Sequence, residues 1–187
     1  MFYDWKKDKK TTEICRSIGS YPFICSYDAE GNLRRAQAEY KVKSLLDLGC
    51  GRGNVIESAL AAGFDLADGV EYFNSHISAA RRRLRKYEKS RYTIYQGDIR
   101  IWQPKRSYDL IYIFDPIFQD NSRKLFFDNL LEYLPENQLV IYISVNPERI
   151  HKLLTDHFEH ASEKDDLPLF KYYQTPLPDR NIFWKDK

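Results

Sequence analysis

From Lys43 onward, short apolar runs alternate with longer stretches of helical spacing, and this alternation limits the fold more than any other feature. The runs over 44–48, 65–71, 92–97, 108–114 and 139–145 read as strands, and the stretches over 54–62, 74–89, 121–134 and 147–158 read as helices. The run YDLIYIF at 108–114 is nearly all apolar, as a strand covered on both faces should be. Parallel strands joined through helices need right-handed crossovers. The expected architecture is α/β: a doubly wound, mostly parallel sheet with helices on both faces. Residues 170–174 and 181–185 add an antiparallel C-terminal hairpin, for seven strands in all.

The first stretch of chain is different. Residues 6–18 suit a short amphipathic helix, 28–32 a turn, and 33–40 another helix. We therefore divide the chain into a helical lead-in, 1–42, which caps the substrate side, and a ligand-binding domain, 43–187. With 187 residues the chain has room for one ordinary core.

Ligands of doubly wound sheets bind beyond the carboxyl ends of the strands. The loops there carry the informative residues. The first is Asp47-Leu48-Gly49-Cys50-Gly51-Arg52-Gly53-Asn54. Its alternate glycines allow a sharp turn and a close backbone approach to a ligand. The loop also opens a helix, whose first N–H groups lack partners. A dinucleotide fingerprint would place its third glycine at Asn54. The acid Asp47 directly before the loop suits a cationic ligand better than a pyrophosphate. Glu71, followed by Tyr72, ends the second strand roughly 20 residues on, where an acid can accept from a ribose diol. Asp98 follows the third strand, placed to accept from an exocyclic amine, with Ile99 to pack on the ring. The fourth strand ends in Phe114-Asp115-Pro116-Ile117-Phe118, which offers a carboxylate, carbonyls and an aromatic to the cleft.

LLDLGCGRGN followed by GVEYFNSHISAARRRL resembles the opening of the class I S-adenosylmethionine-dependent methyltransferases. That resemblance spans roughly 43–145 and implies a Rossmann-like methyltransferase fold. It implies that Asp47, Gly49, Gly51, Gly53 and Asn54 line the methionine end of S-adenosylmethionine. It implies that Glu71 and Tyr72 serve the ribose, and Asp98 and Ile99 the adenine. Asp-Pro-Ile-Phe resembles the Asp-Pro-Pro-Tyr/Phe signature of methyltransferases acting on amino or amide nitrogens, with Ile117 where the signature has a second proline. Asp115, Pro116 and Phe118 are then the catalytic residues, holding the target nitrogen and stacking on its plane. The implied activity is methylation of a nitrogen of a protein or nucleic acid. A metabolite acceptor, or a non-catalytic subunit that binds the cofactor beside a partner, are the alternatives.

Other features weigh less. The net charge of +2 argues against capture of nucleic acid by bulk charge. The basic run from Arg81 to Arg91 suits either a solvated helix face or a phosphate backbone. Cys15, Cys25 and Cys50 contain no C-x-x-C pair, which argues against a disulfide scaffold or structural zinc. Cys50 reads as a small packing residue and His157 to His160 as a solvated helix end, so no metal is expected. No signal-length apolar run follows MFYDWKKDKK, and nothing approaches the ~18 apolar residues of a membrane span, so a cytoplasmic protein without a membrane partner is expected.

Overall fold

The computed structural model describes residues 29–114, 116–117, 120–143, 157–160 and 169–172. Helix α1 spans Ala29–Tyr40. It begins earlier than expected, because residues 29–32 are helical rather than a turn. Gly31 and Asn32 are poor helix formers. Burial of Asn32, Leu33 and Ala36 on one face, and a Glu30–Arg34 pair at 2.7 Å on the other, outweigh that propensity. The expected helix over 6–18 lies outside the described residues.

The sheet is built from β1 (Ser44–Leu48), β2 (Leu66–Glu71), β3 (Ile94–Gln96), β4 (Leu110–Phe114) and β5 (Leu139–Ile143), all parallel. Helix α2 (Asn54–Ala62) joins β1 to β2, and α3 (Asn74–Leu84) leads from β2 toward β3. Helix α4 (Asp120–Tyr133) joins β4 to β5. Two short strands, β6 (Phe158–His160) and β7 (Leu169–Tyr172), add antiparallel pairing beyond β5. The order across the sheet is β3-β2-β1-β4-β5-β7-β6.

Among the described residues five strands are parallel, and the expected hairpin of 170–174 with 181–185 is not seen there. β7 covers part of the first segment but pairs with β5 and with Phe158–His160, while 181–185 lies outside the described residues. Phe158 to His160 is thus strand, not the end of a helix, and of the expected helix over 147–158 all but its last two residues lies outside the described residues. Helix α3 also stops short of residue 89. After Leu84 the chain turns, with Tyr87 N–H donating to the Leu84 carbonyl at 2.9 Å.

Strand alternation divides the core into two layers. Leu45, Leu110, Tyr112, Leu139 and Ile141 face one side, with Leu33, Ile56, Ala59, Ile77 and Leu84 of α1, α2 and α3. Leu46, Leu48, Ile111, Ile113, Val140 and Tyr142 face the other, with Phe126, Phe127 and Leu130 of α4. Helices cover both faces, which is why the strands read as continuous apolar runs. Strand order reverses between β1 and β4, the position in such sheets beyond whose carboxyl ends ligands bind. Among the described residues, no helix is long and apolar enough to cross a membrane.

Candidate cofactor site

Strand β1 delivers Asp47 and Leu48, both buried, to the glycine loop. The loop folds over the end of β2: Gly49 N–H and Cys50 N–H both donate to the Val70 carbonyl, at 3.0 and 2.9 Å. Gly49 holds φ at +84°, and a Cβ there would lie 2.7 Å from Cβ of Pro116. The loops after β1 and β4 therefore touch at a point where only glycine fits. Gly51 N–H donates to a Glu71 carboxylate oxygen at 2.9 Å. Gly53 precedes α2 with φ at +77° and accepts the Glu57 N–H at 2.9 Å.

Two buried acceptors of this loop bear on its ligand. Asp47 Oδ2 and Asn54 Oδ1 are buried with no hydrogen-bond partner among the described residues. A buried polar atom without a partner costs about 1–3 kcal/mol. Two such acceptors on one glycine loop fit a ligand that brings N–H groups. Burial, reinforced by the Glu71 carboxylate, pushes Asp47 well above the usual carboxylate range. The same burial, with Asp47 and Glu71 nearby, pushes the Cys50 thiol up. Cys50 is therefore a protonated packing group. It closes on Gly69 of β2, where a Cβ would come within 2.7 Å of Cys50 Sγ.

Glu71 ends β2, nearly buried, and its carboxylate spans two backbone donors. One oxygen accepts Gly51 N–H, the other Phe73 N–H at 2.7 Å. Nδ1 of His76 stands 3.7 Å from the second oxygen. Tyr72 is 45% exposed on the rim and meets Phe73 edge-on. Gly97 N–H donates to the Glu71 carbonyl at 3.1 Å, so Asp98 and Ile99 follow beside Glu71 and Tyr72. Asp47, Gly49, Gly51, Gly53, Asn54, Glu71, Tyr72, Asp98 and Ile99 thus share the carboxyl end of β1, β2 and β3.

Asp98 carries a partner that the sequence reading missed. Arg100 Nε lies 2.9 and 3.0 Å from the two carboxylate oxygens, and Nη2 lies 2.5 Å from Oδ2. Burial alone would raise Asp98. The hydrogen bonds from the Arg100 side chain and backbone outweigh it and hold the carboxyl below its ordinary value. Arg100 also reaches Ser122 Oγ of α4 at 3.4 Å. Helix α4 grips the same segment again through Asn129, which donates to the carbonyls of Ile99 and Trp102 at 3.1 and 2.8 Å. An Asp-x-Arg spacing hints at a local pair, but the direction in which the arginine folds is not written in the sequence.

On the β4 side, Pro116 and Ile117 are described, whereas Asp115 and Phe118 lie outside the described residues. Ile117 is buried, and its carbonyl accepts from Nε of the buried Arg123 at 3.2 Å. The sequence reading passed over Arg123 as well.

The basic run is largely committed to internal contacts. Arg81 donates to the Ile94 carbonyl, Arg83 to the Arg52 carbonyl and Glu57, and Arg91 to the Phe64 carbonyl. Lys86 pairs with Glu57 at 2.7 Å. These groups tie α3 and the following turn to the rest of the domain.

Residues 45–137 match a protein family described as "Methyltransferase domain". Over that span, from β1 to just past α4, the chain is similar to methyltransferase domains. Solved methyltransferases share its fold. The methyltransferase domain of bacterial CtHen1 is 24% identical with a TM-score of 0.51, over 59% of this chain and 62% of that one. The glycopeptide N-methyltransferase MtfA, complexed with S-adenosyl-L-methionine, is 19% identical with a TM-score of 0.52, over 65% and 57%. The O-MT segment of StiE is 21% identical with a TM-score of 0.56, over 71% and 53%. This chain spans less than two thirds of each of these structures. At such identities the likeness concerns the fold. No curated protein sequence matches the chain. Since both an N- and an O-methyltransferase share the fold, the fold by itself chooses no methyl acceptor.

Proposed function

We propose that the chain is an S-adenosylmethionine-dependent methyltransferase that acts on a nitrogen of a protein or nucleic acid. The observation that supports its cofactor site best is the pair of buried, unpartnered acceptors on the glycine loop, Asp47 Oδ2 and Asn54 Oδ1. An α-ammonium group supplies the donors they lack. In this reading Asp47, Gly49, Gly51, Gly53 and Asn54 receive the methionine end. Glu71, already oriented by the Gly51 and Phe73 N–H groups, accepts from the ribose hydroxyls, with Tyr72 beside it. Asp98 accepts from the adenine amine and Ile99 packs on the ring.

When bound, S-adenosylmethionine supplies an activated methyl group, so the protein need only position and orient. Alignment of the attacking atom alone contributes several kcal/mol in such reactions, on the order of 7 or more in the best cases. Asp115 and the Pro116 carbonyl are the acceptors that would hold a target N–H, and Phe118 the ring that would stack on its plane. The Asp-Pro-Ile-Phe sequence supports nitrogen as the target, because an NH2 group brings two donors to two such acceptors where a hydroxyl brings one. A small metabolite acceptor is the alternative, as is a non-catalytic subunit that holds the cofactor for a partner. A protein acting in the cytoplasm, without metal or membrane, completes the proposal.

Two measurements test it. Calorimetric titration with S-adenosylmethionine and S-adenosylhomocysteine should show micromolar or tighter binding, on the order of −8 kcal/mol. The absence of binding would refute the site. A radiolabelled-methyl screen of protein, RNA, DNA and metabolite pools then identifies the acceptor. On that acceptor, Asp115→Ala should retain cofactor binding and lose transfer. Full activity would remove Asp115 from the reaction.

A further inference from the structure

We propose that Arg100 is a positioning residue that makes the adenine subsite selective for an amino over a keto base. The inference rests on the assignment of Asp98 to the adenine, and it concerns a residue outside that assignment.

An ionised carboxylate offers about four acceptor directions and no donor. Arg100 occupies most of those of Asp98. Oδ1 receives the Arg100 backbone N–H at 3.0 Å and Nε at 2.9 Å. Oδ2 receives Nη2 at 2.5 Å and a share of Nε at 3.0 Å. The second lone pair of Oδ2 is the acceptor left for a ligand. The group is also fixed in space. Ile101 N–H and Trp102 N–H donate to the Asp98 carbonyl at 3.0 and 2.8 Å, and Arg100 itself is anchored to Ser122 of α4.

A carboxyl that protonates can donate to a keto oxygen. One that swings can choose another partner. Gripped side-on by a guanidinium, Asp98 does neither: it presents one fixed acceptor. An adenine amine satisfies that acceptor. A hypoxanthine keto oxygen meets it lone pair to lone pair. The bidentate fork is specific to arginine, since a lysine ammonium supplies charge without fixing the carboxylate plane. Arg100 thus acts through Asp98 and need not touch the base.

The test uses the full chain and two ligands, S-adenosyl-L-homocysteine and S-inosyl-L-homocysteine, which differ in the amine or keto group of the base. Calorimetry at one pH gives the ratio of their affinities for wild type, Arg100→Met and Arg100→Lys. Wild type should prefer the adenosyl ligand by about tenfold or more, as sites built around one hydrogen bond do. Arg100→Met should narrow the preference to about threefold or less, with Arg100→Lys in between. A folded Arg100→Met or Arg100→Lys protein with the wild-type ratio would overturn the role, because a pair that merely stabilises the turn would weaken both ligands alike. Wild type binding both ligands equally would remove Asp98 as the reader of the base. Wild type binding neither would instead refute the cofactor reading.

Discussion

Replacing Gly49 by alanine tests the contact on which the site is built. Two costs combine at this position. With φ at +84°, any side chain stands in the left-handed region; that conformation costs about 1–2 kcal/mol for an L residue. The new Cβ would also fall 2.7 Å from the Pro116 Cβ, well inside van der Waals contact. Making room for it costs about 1–3 kcal/mol more. The sum is about 2–5 kcal/mol. Gly63 supplies the control. Its φ is +101°, but a Cβ there meets nothing within 4 Å. Gly63→Ala should therefore lose only the backbone part, about 1–2 kcal/mol. Urea unfolding of both variants measures the difference. Gly49→Ala should be the less stable by at least about 1 kcal/mol. Equal losses would refute the reasoning, because the loops after β1 and β4 would then not meet at Gly49.

Two further outcomes follow from the carboxylates of the site. Because burial raises Asp47, the stability it contributes is full below the ordinary carboxylate range and is lost as pH rises through its folded value. Asp47→Asn should therefore stabilise the ligand-free protein near neutral pH by about 1–3 kcal/mol, with a smaller gain in acid, while weakening S-adenosylmethionine binding. Urea unfolding over a pH series checks the first part, and a loss of stability at neutral pH would contradict it. Glu71→Gln puts an amide N–H against either Gly51 N–H or Phe73 N–H. It should cost about 1–3 kcal/mol and lower cofactor affinity at least about tenfold. Unchanged affinity by calorimetry would remove Glu71 from the site.

The strands were legible because burial on both faces leaves little room for polar residues, so Leu45 to Leu48 and Leu110 to Phe114 stand out in any reading. The glycine loop was legible for the opposite reason: positive φ at Gly49, Gly51 and Gly53 favours glycine over residues with a Cβ. Element ends were less so. α1 gained residues 29–32 because tertiary burial of Asn32 and Leu33 outweighs weak local propensity. The arginines were the least legible. Their long side chains reach carbonyls at Ile94, Arg52, Phe64 and Ile117, and a carbonyl is the same at every residue. The run is an exposed face, as it reads, but Arg81, Arg83 and Arg91 also reach back to backbone carbonyls. Arg100 was missed in the same way, since its meaning lies in the direction of one side chain.

The place of β7 in the sheet bears on how the molecule is made. β7 comes after both β5 and β6 in the chain, yet it lies between them in space. During synthesis Leu139–Ile143 emerges with its outer edge bare, and Phe158–His160 has no strand to join until Leu169–Tyr172 arrives. At about 5–20 residues per second that interval lasts seconds. For that time a strand whose every residue is buried in the finished protein offers an open row of backbone donors and acceptors to any neighbouring chain. The nascent chain carries that open edge when β1 to β5 and the loops between them have already emerged.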